Sequence, residues 1–467
     1  MSETAFVSTD ETRRLFSAAM SEMYRTEVPQ YGTLMQLVGE VNRRTLAADP
    51  ALAERLSRGG EIERLSDERH GAIRLGTAEE LATIARLFAV MGMEPVGYYD
   101  LSVAGIPVHS TAFRPVSDAA LSVNPFRVFT SLLRLDLLDD AGLRDEAAAI
   151  LARRRIFTDG ALALIERFET AGGLTEGEAR TFVAEALETF RWHSDATVDE
   201  ETYRRLSKAH RLVADVVSFK GPHINHLTPR TLDIEAVQQG MPAHGIAPKA
   251  VIEGPPERDC PILLRQTSFK ALEEPVRFAG DGARTGTHTA RFGEIEQRGA
   301  ALTPKGRALY DELLSDVRGA ATVGASGTGA GDYDAALRER FRRFPDDWAT
   351  MRREGLAFFR YAPTTAGLDA AAAGRASADL GALVAAGHAS ADPIVYEDFL
   401  PVSAAGIFQS NLGTDAQSNA GSSGNRGAFE AALGRGVLDE TALYAQAEAR
   451  SIDALRQALA AARTRAA

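Results

Sequence analysis

The strongest constraint on the fold of this 467-residue chain is a weak internal repeat. Each copy begins with a histidine-bearing segment that has the pattern of a β-strand, from Arg69 to Leu75 in the first copy and from His223 to Leu227 in the second. A helical pattern follows in both copies, and then a Gly-apolar-x-Pro sequence at residues 92–95 and 245–248. Similar segments at matching spacing indicate that one unit of structure is used twice.

The elements that follow each histidine predict the architecture of that unit. In the first copy, Thr77 and Glu80 have the spacing of a capping box that starts a helix, and two further strands follow at 96–101 and 106–113. In the second copy, the patterns predict a strand at 224–227, a helix at 231–240 and strands at 250–252, 262–267 and 289–297. We therefore expect an α+β fold in which paired βαβββ modules form a curved sheet or half-barrel around a metal ion.

The rest of the chain predicts helices around these modules. Apolar residues at helical spacing occur before residue 60 and again between residues 125 and 215, and strand character returns at 216–218. The expected segments are N-terminal helices at 1–60, a first βαββ module at 61–114, a helical insertion at 115–215, a second βαβββ module at 216–300, and C-terminal helices at 301–467 with late strands at 356–361 and 394–403 that complete the metal cavity.

Composition excludes several classes of function. A net charge of −12 disfavours binding to nucleic acid, because a negative protein repels phosphate backbones. The only cysteine is Cys260, so neither an intramolecular disulfide nor a multi-cysteine metal site is expected. No basic and apolar signal region opens the chain, and no apolar run is long enough to span a membrane. We expect a cytoplasmic enzyme or binding protein; the oligomeric state is left open.

Three residues of the repeat region are candidate metal ligands: His70, His226 and Glu294. Two histidines and one carboxylate on one face are the ligand set of a mononuclear non-haem iron oxygenase. The residues alone leave alternatives open. His223 could replace His226, Glu296 shares a strand face with Glu294, His70 could be a surface histidine, and both glutamates could belong to a solvated strand face.

A candidate substrate residue lies on the same strand as the first histidine. Because side chains alternate along a strand, His70 and Arg74 share a face, roughly 13 Å apart along the backbone. A small diacid could place one end on the metal and its far carboxylate on Arg74, whose planar guanidinium suits carboxylates. Arg127 is a second cation in an apolar run; it could face the cavity or pair with Asp136 or Asp139.

Four stretches together resemble the 2-oxoadipate dioxygenase/decarboxylase family, a divergent branch of the vicinal oxygen chelate superfamily. The resemblance covers nearly the whole chain. The stretches are Asp67-Glu68-Arg69-His70-Gly71-Ala72-Ile73-Arg74, Gly221-Pro222-His223-Ile224-Asn225-His226-Leu227-Thr228, Arg291-Phe292-Gly293-Glu294-Ile295-Glu296-Gln297-Arg298-Gly299 and Tyr396-Glu397-Asp398-Phe399-Leu400-Pro401-Val402-Ser403.

The resemblance implies an enzyme with Fe(II) held by His70, His226 and Glu294. It also implies that substrate contacts His70, His226, Arg74, Val402 and Ser403, with Arg74 as the catalytic side chain. The implied reaction converts 2-oxoadipate and O2 to (R)-2-hydroxyglutarate and CO2 in lysine breakdown, through chelation of the 2-oxo acid, oxidative decarboxylation and intramolecular hydroxylation. The alternatives are a glyoxalase-like metal-dependent isomerase or lyase and a non-catalytic helical binding protein.

Overall fold

Three helices open the chain, as the sequence predicts for residues 10–58: α1 Thr9–Glu27, α2 Tyr31–Ala48 and α3 Pro50–Arg58. The computed structural model describes residues 5–269, 273–280, 284–289, 291–320, 329–400 and 423–466. Ser8 and Asp49 cap α1 and α3 by accepting backbone N–H bonds, and Pro50 starts α3 at a position that suits proline. A short helix, α4 Ile62–Leu65, leads into the first sheet.

The first module contains one more strand than the sequence patterns indicate. Its elements are β1 Arg69–Leu75, α5 Ala78–Ala89, β2 Glu94–Asp100, β3 Val108–Arg114, α6 Asp118–Val123 and β4 Arg127–Leu133. The prediction that residues 115–215 form a helical insertion is therefore wrong at 127–133. Every residue of β4 is buried, so the strand lacks the alternation of polar and apolar residues that marks a half-exposed strand.

Helices α7 to α11 follow β4 and agree with the rest of that predicted insertion: Ala141–Leu151, Asp159–Ala171, Glu176–Leu187, Glu200–Ala209 and Arg211–Ser218. The strand predicted at 216–218 is wrong, because these residues end α11. His210 caps this helix by accepting from the N–H of Leu212, and all residues from Leu212 to Ser218 are buried. A short, wholly buried apolar run does not distinguish a strand from a buried helix.

The second module has shorter strands than expected: β5 Leu227–Pro229, α12 Ile234–Gly240, β6 Leu264–Ser268, β7 Glu274–Arg277, β8 Thr285–His288 and β9 Glu294–Arg298. The strand predicted at 224–227 begins only at Leu227. The strand predicted at 250–252 is wrong, because these residues form no strand; the following residue, Glu253, makes a single bridge to Gln266. Strands β7 and β8 form a hairpin that the sequence patterns did not indicate.

The strands of both modules follow the same order. In the first, β1 pairs in parallel with β4, which continues through β3 to β2. In the second, Arg230 at the end of β5 bridges Glu296 of β9 in parallel, β9 pairs with β6, and β6 bridges Glu253. The modules join where β1 and β5 pair antiparallel, with His70 opposite Thr228. The described strands form one five-stranded sheet and three two-stranded sheets, and they do not close into a barrel.

The remaining elements lie in the C-terminal part: α13 Pro304–Ala320, α14 Ala330–Phe341, α15 Trp348–Glu354, β10 Phe359–Pro363, α16 Thr365–Ala372, α17 Leu380–Ala385, β11 Ala389–Pro393, α18 Ser423–Leu433 and α19 Glu440–Ala466. Of the late strands, the one predicted at 356–361 is shifted to β10, and its partner is β11. Residues 394–400 form no strand; Val395 makes one bridge, to Ala300. Residues 401–403 lie outside the described residues.

The two faces of the first sheet have different surroundings. Ile73 and Leu75 of β1 pack in an apolar cluster with residues of α1, α5 and α9. Ala72, on the opposite face with His70 and Arg74, packs with Phe129 and residues of α7, α10 and α11. The alternation predicted for β1 therefore places both candidate functional side chains away from the main core. Among the described residues, no helix is long and apolar enough to cross a membrane.

Glu440, the first residue of α19, introduces a pH dependence of stability. Burial, together with the nearby Asp398 carboxylate, raises the pKa of Glu440 from 4.5 to about 7. The folded protein therefore retains this proton at pH values where the unfolded chain has lost it, so the free energy of unfolding falls as pH rises between about 4.5 and 7.

The Glu440→Gln variant is expected to lack this loss, because glutamine stays neutral. Its unfolding temperature should exceed that of the parent at about pH 8 and match it at about pH 4, where Glu440 is protonated in both states. Thermal unfolding of both proteins at the two pH values measures the difference. A gap of equal size at both would contradict the assigned titration.

Candidate metal centre

The junction of the two modules brings three candidate ligands together. His70 lies on β1, His226 directly precedes β5, and Glu294 is the first residue of β9. All three side chains are fully buried, and one ligand atom from each lies within 4.8 Å of the others. His70 Nε2 is 3.1 Å and His226 Nδ1 is 3.7 Å from Glu294 Oε1. This burial argues against a surface strand histidine and a solvated glutamate face.

The hydrogen bonds of Glu294 show where a cation would fit. Its Oε1 accepts from Thr228 Oγ1 at 3.0 Å and from Gln266 Nε2 at 2.9 Å. Its Oε2 is buried and has no hydrogen-bond partner among the described residues. Leaving a charged oxygen buried without a partner is costly, so the donor set fits a metal ion that would bind this oxygen.

Neighbouring groups set the tautomer of both histidines. Thr228 donates to Glu294, so its oxygen accepts from His226 Nδ1, which lies 2.9 Å away. His70 Nδ1 lies 2.9 Å from Glu296 Oε2, and an ionised carboxylate only accepts. These oxygens favour, for each neutral ring, the tautomer with its proton on Nδ1 and its lone pair on Nε2, which is the arrangement of a metal-binding histidine held by an outer partner.

Glu296 acts as that outer partner of His70. It is fully buried and receives two hydrogen bonds from Arg298, at 2.9 and 2.8 Å. Burial alone would raise the pKa of Glu296, but Arg298 and His70 outweigh it and lower the pKa to about 2. Burial likewise would lower the pKa of His70, and the Glu296 and Glu294 carboxylates reverse this, so the pKa rises in the metal-free protein.

The Glu296→Gln variant is expected to bind metal about 10- to 100-fold more weakly, because the partner that orients His70 loses its charge. Titration of the metal-free protein with Fe(II) or Co(II) under anaerobic conditions measures this affinity. Glu274→Gln is a matched control, since Glu274 is also buried and paired with an arginine, Arg291, but does not touch the ligands. Equal affinity of the Glu296→Gln variant and the parent would refute the orienting role.

A buried ionic cluster lies beside the candidate metal centre, around Glu68. Four guanidiniums lie within 4 Å of its carboxylate, those of Arg64, Arg127, Arg230 and Arg298. Burial would raise the pKa of Glu68, but these arginines hold it well below its ordinary value. Sequence reasoning missed this cluster, because its members lie as much as 234 residues apart (64 to 298) and no local pattern connects them.

Arg127 belongs to this cluster and does not pair with Asp136 or Asp139. Its Nη2 donates to Glu68 at 2.8 Å and also contacts Glu397, a residue of the late segment singled out in the sequence. Arg64 donates to the other oxygen of Glu397 at 2.7 Å. Burial, with the neighbouring Arg298, lowers the pKa of Arg127 to about 9. The late segment is therefore tied to the first module by buried ion pairs.

Arg74 lies away from the three candidate ligands, four residues further along β1. Its Nη1 donates to Asp215 of α11 at 2.7 Å. His223 is also placed here, with Nε2 3.3 Å from Asp215 Oδ1, so the structure puts His226 and not His223 among the candidate ligands. Val402 and Ser403 lie outside the described residues.

Two residues of β6 face the candidate metal centre. Gln266 and Ser268 stand opposite Glu296 and Glu294 in the β6–β9 pair, so their side chains share the face of these glutamates. Within the described part of the chain, Gln266 Oε1 and Ser268 Oγ are buried without a hydrogen-bond partner. The site therefore offers unmet hydrogen-bonding capacity that suits a polar ligand.

Comparison with known proteins gives matches along nearly the whole chain. The family model for 2-oxoadipate dioxygenase/decarboxylase matches residues 16–411. Curated relatives of that name include one from Pseudomonas putida, 64% identical over 97% of this chain and 98% of the relative, and one from Escherichia coli, 59% identical over 95% and 98%. A crystal structure of the hydroxyglutarate synthase from Pseudomonas putida in complex with 2-oxoadipate covers 97% of this chain and 99% of that one, with 63% identity and a TM-score of 0.92.

Proposed function

The chain belongs to the 2-oxoadipate dioxygenase/decarboxylase family, and we propose that it is an Fe(II)-dependent enzyme that converts 2-oxoadipate and O2 to (R)-2-hydroxyglutarate and CO2. The observation that carries the proposal is the buried group of His70, His226 and Glu294, in which Glu294 Oε2 has no hydrogen-bond partner among the described residues. The names of the relatives favour this reaction over an isomerase and over a non-catalytic binding protein.

The chemical types of the three candidate ligands favour Fe(II). Two imidazoles and one carboxylate are the donor set that non-haem Fe(II) oxygenases use, and such a set leaves positions for other ligands. When bound there, Fe(II) would supply the capacity to activate O2 beside a chelated 2-oxo acid. His70 and His226 would hold it through Nε2, and their full burial excludes bulk water from the reacting atoms.

The other residues bind and orient the substrate. Arg74 binds the far carboxylate, at the opposite end of β1 from the metal ligands, and so favours a diacid of sufficient length. Gln266 Oε1 and Ser268 Oγ face the candidate metal centre from β6 and are available to polar groups there. Contacts from Val402 and Ser403, which the family resemblance implies, complete the proposed site, and their positions stay predictions.

The strand order supports the proposed vicinal oxygen chelate architecture. Both modules run from a first strand through a parallel neighbour to antiparallel outer strands, and the candidate ligands lie where the modules meet. Two copies of one module that share a metal site at their junction explain why the sequence repeat begins at histidines. The cytoplasmic location stays a prediction.

The reaction balances without an external reductant, and this gives a direct test. Protein reconstituted with Fe(II) under anaerobic conditions is mixed with 2-oxoadipate and isotopically labelled O2. We expect equal amounts of O2 consumed, CO2 released and (R)-2-hydroxyglutarate formed, with one labelled oxygen in the new carboxylate and one in the hydroxyl group. The same protein without metal and a parallel assay with 2-oxoglutarate are the controls. Product formed without O2 uptake would refute the proposal.

A further inference from the structure

A second cluster of polar side chains lies at the other end of the face that carries His70. Asp215 of α11 is 6% exposed and sits at its centre. Its Oδ2 accepts from Arg74 Nη1 at 2.7 Å, and its Oδ1 lies 2.9 Å from His288 Nε2 and 3.3 Å from His223 Nε2. Burial would raise the pKa of Asp215, but His223, His288 and Arg74 hold it well below its ordinary value. One carboxylate therefore anchors a guanidinium and two imidazoles.

The cluster is held from several elements. His288 belongs to β8, and its Nδ1 lies 2.8 Å from the hydroxyl of Tyr203 on α10. Trp192 stacks parallel to His288, with ring centroids 5.9 Å apart. His288 is 6% exposed, so it is a buried histidine. Asp215 thus has little freedom, and it fixes the position of Arg74.

Two serines occupy the positions next to Arg74 on the neighbouring strands of the sheet. Ser131 of β4 stands opposite Arg74, and Ser110 of β3 stands opposite Ser131. Both are buried, and their oxygens lie 2.8 Å apart. In such a pair one hydroxyl donates to the other, and the accepting hydroxyl keeps its own proton for a further bond. Polar groups are unexpected here, because Ala72, Phe129 and Ala112 form the next row of the same face.

A guanidinium on the same sheet face as a pair of buried hydroxyls suits a carboxylate. Arginine has five N–H donors in a fixed fork, so one guanidinium can contact more than one acceptor. Asp215 is itself committed on both oxygens, so it compensates charge and orients Arg74 without needing a ligand. In the part of the chain that the structure describes, only His70, His226 and Glu294 form a group compact enough for a metal, so the two histidines on Asp215 do not mark a second metal centre.

We infer that Asp215 is a positioning residue that holds Arg74 so that its guanidinium and the Ser131–Ser110 hydroxyl pair together receive the far carboxylate of the substrate. This rests on the proposed function, which assigns that carboxylate to Arg74. The distal site then discriminates a dicarboxylic 2-oxo acid from a 2-oxo acid of equal length with an apolar end. Discrimination is strong because a site built for a carboxylate leaves charged and polar groups unpaired when the carboxylate is absent.

The test compares two substrates of the iron-loaded enzyme: the diacid 2-oxoadipate, and the monoacid 2-oxohexanoate, which lacks the far carboxylate. For the Asp215→Asn and Ser131→Ala variants we expect KM for the diacid to rise about tenfold or more, with much smaller changes in kcat and in KM for the monoacid. Asp195→Asn is the matched control, because it breaks an exposed aspartate–arginine pair, with Arg277, and should change neither substrate's kinetics. Iron content and unfolding temperature are measured for each variant.

The Arg74→Ala variant distinguishes a failure of the role proposed for Arg74 from a failure of the role inferred for Asp215 and Ser131. If it raises KM for both substrates equally, or for neither, the proposed role of Arg74 fails and this inference fails with it. If it acts on the diacid alone, while Asp215→Asn and Ser131→Ala act on both substrates or on neither, only this inference is overturned. The Arg74→Ala/Asp215→Asn double variant should be no worse than Arg74→Ala, since Asp215 acts through Arg74. Should Asp215→Asn fail to fold, Ser131→Ala decides the outcome.

Discussion

The His226→Ala variant is expected to lose both its bound iron and its turnover of 2-oxoadipate. Loss of an outer partner of a metal ligand typically costs 10- to 100-fold in affinity, and removal of one of three direct ligands should exceed that. The measurements are iron content after anaerobic reconstitution and the rate of O2 consumption.

His223→Ala is the matched control for that variant. His223 lies three residues away, is 2% exposed, and contacts Asp215 and not Glu294. The His223→Ala protein should therefore bind the same amount of iron as the parent. A His226→Ala protein that still holds one iron and turns over 2-oxoadipate would remove His226 from the metal centre, and iron loss in both variants would indicate a general disturbance of the segment.

The Glu68→Gln variant is expected to lower the free energy of unfolding by about 3 to 5 kcal/mol, the usual cost when one partner of a buried ion pair is removed. Glutamine keeps nearly the size of the side chain but removes the negative charge that lies within 4 Å of Arg64, Arg127, Arg230 and Arg298. The arginines would then repel one another in surroundings from which water is largely excluded. Urea unfolding of the metal-free proteins measures the change.

Glu169→Gln provides the comparison for Glu68→Gln. Glu169 also receives two hydrogen bonds from an arginine, Arg86, at 2.8 and 2.7 Å, but both side chains are 42% exposed. Solvent screens an exposed pair, so its loss should cost at most about 1 kcal/mol. Similar destabilisation in the two variants would show that burial of the Glu68 cluster does not amplify its contribution.

Local sequence patterns were sufficient to predict those helices and strands whose apolar spacing and end residues are distinctive. The helices before residue 60, the strand from Arg69 to Leu75 and the final helix follow from apolar spacing and end signals, which depend on neighbours a few residues away. The alternation along β1 likewise placed His70 and Arg74 on one face. Family resemblance added the candidate ligands, which the residues alone left among several alternatives.

Patterns failed where burial on both sides removes alternation. Strand β4 is buried throughout and was assigned to the helical insertion, and the end of α11 is buried throughout and was assigned to a strand. In both segments polar residues are buried together with apolar ones, so the pattern of apolar residues does not identify the structure. The outcome depends on what packs against the segment, which for β4 is β1 on one edge and β3 on the other.

The sequence by itself determined the α+β class and predicted two histidine-bearing segments that are each followed by a helix and strands, because periodicity and end signals act over short distances along the chain. Only the tertiary structure decided which histidine joins Glu294, which acid holds Arg74, and that Arg127 pairs with Glu68 and Glu397. These partners lie 59 to 270 residues apart, and strand register and helix packing bring them together. A buried charge must find its partner in space, and no spacing along the chain specifies that partner.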